Sequence, residues 1–176
     1  MTFHARLKFV FILNLILLLG SCIKDPETGN QFGKKAQFIP FEELDKIEQR
    51  APQEFVNTGK IAYYSPYLFM VDDMIGIHII DLSDTIDVRR ISFIAIPGVS
   101  DISLKNNILY ANNGPHLVLF DISDIHHVFI IDKIKSVFEV NAKYPPPNTW
   151  FECINESNIW ITGWTDAWLV NPKCKS

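Results

Sequence analysis

The run Ile80, Asp81, Leu82, Ser83, Asp84 returns as Phe120, Asp121, Ile122, Ser123, Asp124, forty residues later. The match extends in both directions. Leu68, Phe69, Met70 and Val71 fall on Ile108, Leu109, Tyr110 and Ala111, Ile77 and Ile79 fall on Leu117 and Leu119, and Val88 falls on Val128. Ser65 and Pro66 stand opposite the turn residues Lys105 and Asn106. Each period holds four short apolar runs divided by turn residues: near 61–64, 67–71, 77–82 and 88–94, then near 101–104, 108–111, 117–122 and 128–134. Four strands in about forty residues is the period of a β-propeller blade. A lone four-stranded sheet exposes both faces, so each unit must stack on a neighbour to bury its apolar side chains.

The expectation is therefore an all-β chain of four-stranded antiparallel blade-like repeats, a partial β-propeller. The first repeat spans 58–97, the second 98–137, and a degenerate third spans 138–176 with strands expected at 151–154, 159–162 and 167–170. Abundant β-branched and aromatic residues, with Gly and Pro as punctuation, suit this class. Ahead of the repeats, 36–57 reads as a linker with one short helix. Pro40, Glu42 and Glu43 suit a helix start, Leu44 and Ile47 are three apart, and Pro52 ends the run. Residues 22–35, rich in Lys, Asp, Glu, Thr, Gly, Asn and Gln, read as a flexible tether.

The first 21 residues have the build of a secretory signal: basic Arg6 and Lys8, an apolar stretch from Phe9 to Leu19 broken by Asn14, then small residues. The apolar core is short of the roughly 20 residues that span a bilayer. Leu19, Gly20, Ser21, Cys22 reads as a bacterial lipobox. The Cys22 thiol would carry diacylglycerol, cleavage would make Cys22 the first residue, and two or three acyl chains would hold the protein to a membrane without spanning it. Ile23 stands where an aspartate would retain a lipoprotein at the inner membrane, so the outer membrane is expected. Lys24, Asp25, Pro26 and Glu27 resemble the charged tether of lipoproteins exported to the cell surface, with the periplasmic face as the alternative.

Removing Arg6 and Lys8 with the signal leaves 14 Lys and Arg against 20 Asp and Glu, a formal charge of minus 6. No basic cluster suggests nucleic acid. Of three cysteines, Cys22 goes to lipid. In an oxidising compartment Cys153 and Cys174 are a disulfide candidate, the alternatives being two buried thiols or a metal pair lacking further ligands.

The repeat wording carries a family resemblance. An apolar strand ending in Asp and followed by Ser and Asp, with phrases such as Gly76, Ile77, His78, Ile79, Ile80, Asp81 and Ile94, Ala95, Ile96, Pro97, Gly98, resembles the LVIVD repeats of bacterial surface lipoproteins of the Bacteroidetes type. It covers roughly 58–163 and implies propeller blades. The family commonly places proline after the Ser and Asp; here Thr85 and Ile125 stand there. Family members continue through more repeats, and closed propellers need about four blades or more, whereas this sequence supplies fewer than three. Three outcomes stay open: a truncated or degenerate relative of a longer protein, completion by self-association or a partner through open sheet edges, and collapse into a compact small fold.

Candidate sites are few. Asp81, Ser83, Asp84 and their copies Asp121, Ser123, Asp124 could offer oxygens to calcium, but Asp and Ser at strand exits more simply make Asx-type turns, and neither copy has an EF-hand glycine or distal glutamate. His78, His116, His126 and His127 lack zinc-site spacing. Trp160, Trp164 and Trp168 would make a sugar-stacking platform if exposed together, and core if buried. No catalytic residues, metal ligands or cofactor are implied, since no G-x-S-x-G elbow or phosphate loop occurs. The expected function is a non-enzymatic, lipid-anchored binding or assembly surface for protein or glycan. A secreted hydrolase of polysaccharide or peptide is the alternative from another class, and a truncated product without independent function is the third.

Overall fold

The computed structural model describes residues 29–84, 86–138, 145, 147–155 and 157–176. The signal segment, Cys22 and residues 23–28 of the expected tether lie outside them. Thirteen strands follow in chain order among the described residues: β1 (Asn30–Pro40), β2 (Glu48–Arg50), β3 (Thr58–Tyr64), β4 (Tyr67–Asp72), β5 (Gly76–Asp81), β6 (Arg89–Ala95), β7 (Ile102–Lys105), β8 (Ile108–Asn113), β9 (His116–Asp121), β10 (Phe129–Ile134), β11 (Trp150–Phe151), β12 (Ile159–Val170) and β13 (Cys174–Lys175). The fold is all-β.

Three sheets result. The first has the order β2-β6-β5-β4-β3, the second β10-β9-β8-β7, and the third β12-β1-β11-β13. All pairs are antiparallel except β1 with β11. From β3 to β6 and from β7 to β10 consecutive strands are neighbours, the pattern that short turns between alternating apolar runs produce, while β2 adds to the far edge beside β6. Strands β5 and β9 begin at Gly76 and His116, and β6 and β10 at Arg89 and Phe129, each forty residues apart.

The sequence match misses a one-residue slip between β4 and β8. Asp72 pairs with Gly76 across a three-residue loop, whereas Asn113 pairs with His116 across two. Relative to β9, strand β8 is therefore displaced by one position, which exchanges the faces of its side chains. The first sheet turns Phe69, Val71, Ile77, Ile79 and Ile94 toward the second, which answers with Leu109, Ala111, Val118 and Phe120; all are at most 2% exposed. Val118 and Phe120 are the sequence partners of His78 and Ile80, which face the other way. Equivalent strands thus meet through opposite faces, so the sheets stack in the same sense.

The short helix expected within 36–57 is replaced by one 3₁₀ turn, Glu43–Asp45, followed by β2. Two apolar residues three apart anchor only one turn, and helices this short are marginal without more packing. Leu44 is fully buried, and Glu48, Gln49 and Arg50 instead complete the open edge of β6 opposite Ala95, Ile94 and Phe93. Residues 30–35, read as tether, begin β1. Their polarity hides an alternation, and eleven positions of β1 find partners on β12.

The described residues of 138–176 do not form a third four-stranded meander. The strands expected at 159–162 and 167–170 are one continuous β12, β11 is two residues long, and the sheet is completed by β1 from the other end of the chain. Gly33 permits this junction: a Cβ there would lie 2.3 Å from the Trp150 carbonyl oxygen.

Candidate functional site

The acidic strand exits make turns. Asp81 Oδ1 accepts hydrogen bonds from the Ser83 N–H at 2.8 Å and the Ser83 hydroxyl at 2.5 Å, and Asp121 Oδ1 accepts from the Ser123 N–H at 2.7 Å. Asp84 and Asp124 each accept from the N–H two residues on, at Ile86 and His126. The serine hydroxyl and then the serine N–H hold the carboxyls of Asp81 and Asp121 below the usual carboxylate range. Among the described residues, no three His, Cys, Asp or Glu side chains converge as metal ligands would.

The histidines divide by environment. His126 and His127 sit on an exposed turn, where the His127 ring lies 2.9 Å from Asp124. His116 Nδ1 accepts the Ser136 N–H at 3.1 Å, and burial lowers the pKa of this ring. His78 is fully buried between Phe55 and Phe93, with ring centroids at 4.4 and 4.7 Å, and its Nε2 lies 3.1 Å from Asp72 Oδ2. Burial opposes the Asp72 carboxylate, but the Asn57 N–H, His78 and the Val56 N–H outweigh it and leave its pKa lowered. This cluster fastens loop 51–57 over the outer face of the first sheet.

The face of the second sheet turned away from the first carries a cleft of about 460 Å³, within the size range of small-ligand sites. Its floor is Ser103 of β7, Tyr110 and Asn112 of β8 and Leu117 of β9, and its walls are Phe138, Trp160 and Ile161. Period-two alternation puts the floor residues on one face, and the pairings Ser103↔Tyr110 and Asn112↔Leu117 align them. Trp160 arrives from β12 and lies against Gly98 and Gly114. Both glycines have positive φ, +77° and +60°, and a Cβ on Gly98 would come within 2.8 Å of the indole. Phe138 is fixed by its N–H donating to the Pro115 carbonyl at 3.1 Å.

The polar groups of the cleft fall into two kinds. Asn112 is committed to the fold: its Oδ1 accepts the N–H groups of Ser100 and Asp101, and its Nδ2 reaches the Gly98 carbonyl. Lys60 and Asp101 form an ion pair at the rim. The Ser103 and Tyr110 hydroxyls have no hydrogen-bond partner among the described residues, so they remain available to a ligand. Chemically, the cleft offers aromatic faces, two open hydroxyls and a neutralised charge pair.

Of the three tryptophans singled out in the sequence, the structure brings only Trp160 to this cleft. Trp164 packs edge-on against Phe151 at 5.6 Å, and Trp168 packs edge-on against Phe32 at 5.6 Å while remaining 74% exposed. Cys153 and Cys174 are joined in a disulfide across the β11–β13 edge, with Cα atoms 5.3 Å apart. Sequence reasoning missed Tyr110, Ser103 and Phe138. Their signal was present only as the alternation of β8, whose odd positions bury and whose even positions face the cleft. No protein-family model matches this chain, and neither any curated protein nor any solved structure does.

Proposed function

We propose that this chain is a lipid-anchored envelope protein, held at the outer membrane by acylated Cys22 and facing the cell surface, that acts as a non-catalytic binding module. Its two forty-residue meanders are blade-like units of the LVIVD type, stacked as in part of a β-propeller. Stacking in the same sense through opposite faces supports this, because that is how successive blades bury each other. The Cys153–Cys174 disulfide fits an oxidising compartment outside the cytoplasm.

The observation that carries the binding role is the cleft on the uncovered face of the second sheet. The aromatic lining of Trp160, Tyr110 and Phe138 suits the apolar face of a sugar ring, and the hydroxyls of Ser103 and Tyr110 suit its hydroxyl groups. A neutral glycan residue is the ligand this chemistry favours, since the rim charges already neutralise each other. The test is calorimetric titration of mature protein with neutral oligosaccharides, alongside chromogenic glycoside and peptide substrates. Saturable binding that weakens about tenfold in Tyr110→Phe and Ser103→Ala supports the reading. Turnover, or binding indifferent to both substitutions, overturns it.

A further inference from the structure

The third sheet presents an aromatic face that the fold leaves open. The pairs Phe32↔Trp168, Lys34↔Asp166 and Ala36↔Trp164 set these side chains on one side of the β1–β12 ribbon, and Asn30↔Val170 continues the series. Phe32 is 57%, Trp168 74% and Val170 76% exposed. The charged pair among them is neutralised, with Lys34 Nζ 2.5 Å from Asp166. Large apolar side chains grouped on an exposed face mark an interaction surface.

The position of this patch along the chain identifies what meets it. The Gly29 carbonyl accepts the Asn171 N–H at 3.2 Å, and Asn30 pairs with Val170, so the chain coming from Cys22 joins the fold at the exposed end of the ribbon. Seven residues, Ile23 to Gly29, separate Cys22 from Asn30. Even fully extended, that connection reaches at most about 28 Å. An acylated Cys22 would therefore keep Asn30, and the Phe32, Trp168 and Val170 end of the ribbon with it, within about 28 Å of the leaflet.

We infer that Phe32, Trp168 and Val170 form a membrane-contacting patch that seats the third sheet on the leaflet holding the Cys22 acyl chains. The inference rests on the lipid-anchored reading above. Indole rings favour the headgroup region, where an apolar body and a polar N–H are both accommodated. A bulge at Gln37/Phe38 puts Trp160, opposite Ile39, on the other face of the ribbon, so this cleft-lining ring is not part of the membrane-contacting patch.

The experiment uses the complete acylated protein in vesicles of phosphatidylethanolamine and phosphatidylglycerol, with plain or brominated acyl chains, and mass spectrometry of the Cys22 peptide. Brominated chains are expected to quench part of the tryptophan emission, and Trp168→Phe to abolish that part while the protein stays anchored. Trp168 is largely exposed, so this variant keeps its fold. Equal emission in both vesicle types with Cys22 acylated overturns the patch and leaves the anchor standing. Such a result accompanied by a crosslink through Trp168 assigns the patch to a second copy. An unmodified Cys22 overturns the anchor and the patch together.

Discussion

Replacing Asp72 tests whether a buried carboxylate is the fastening of loop 51–57. Asp72 is 1% exposed; its Oδ1 accepts the Asn57 N–H at 2.6 Å, its Oδ2 accepts the Val56 N–H at 3.0 Å, and the His78 Nε2 lies 3.1 Å away. His78 Nδ1 has no partner among the described residues, and the Nε2 contact with the carboxylate places a ring proton on Nε2, donated to Asp72. Asp72→Ala strands that donor in a dry site and frees two backbone N–H groups. A net hydrogen bond contributes about 1 kcal/mol and a stranded buried donor costs about 1–3 kcal/mol. The loop N–H groups regain water, since Val56 is 75% exposed, so the expected loss is about 3 kcal/mol.

Asp72→Asn separates geometry from charge. Asn112, forty residues on, takes the N–H groups of Ser100 and Asp101 with a single amide oxygen, at 2.8 and 2.7 Å. An asparagine at 72 can do the same, but its amide then faces the His78 N–H and forces the imidazole proton onto the unpartnered Nδ1. The expected cost is about 1–2 kcal/mol, and Asp72→Asn with His78→Val, the residue of the second repeat at position 118, recovers part of it. Urea unfolding followed by tryptophan emission measures all three, with an unchanged denaturant slope as the check on two-state behaviour. Loss of less than about 1 kcal/mol in Asp72→Ala, or equal losses in the Ala and Asn variants, refutes the fastening. The pH dependence has a fixed sign. The folded-state pKa of Asp72 is lowered, so its contribution is present above the unfolded carboxylate pKa and disappears as pH falls through the folded value.

Two further perturbations probe the third sheet. Reducing the Cys153–Cys174 bond, or replacing both cysteines with serine, releases a loop with a sequence separation of 21 and is expected to lower unfolding free energy by about 3 kcal/mol, read as a lower urea midpoint. Gly33→Ala is expected to destabilise by about 2 kcal/mol, because its Cβ would meet the Trp150 carbonyl at 2.3 Å and Leu169 at 2.7 Å. Gly59→Ala, whose nearest neighbour would be Val71 at 3.6 Å, is expected to change the midpoint little.

The sequence carried the all-β class and the strand rhythm because each apolar run in the repeat is bounded by turn residues whose backbone chemistry is local. Asp81 with Ser83 and Asp121 with Ser123 needed no tertiary information to be read as turns. The slip between β4 and β8 was hidden, since it depends on a three-residue loop in one repeat and a two-residue loop in the other, while the aligned residues stay equally apolar. The short helix expected within 36–57 gives way to a 3₁₀ turn and β2 for a related reason. Leu44 and Ile47 suit a helical turn, and what decides the outcome is the open edge of β6, a partner more than forty residues away.

The tryptophans show where local reading stops. Positions 160, 164 and 168 share parity, so an unbroken strand would set all three on one face and make a continuous platform. On β1 the residues opposite them are Ile39, Ala36 and Phe32, and an odd number among two even ones means the ribbon has changed phase. The extra residue between Ile161 and Gly163 makes that change, turning one ring toward the second sheet and leaving the other two on the opposite face. A single inserted position thus divides one aromatic series into a cleft wall and an exposed patch. Its location is set by the pairing of two segments at opposite ends of the chain, which no window of either segment contains.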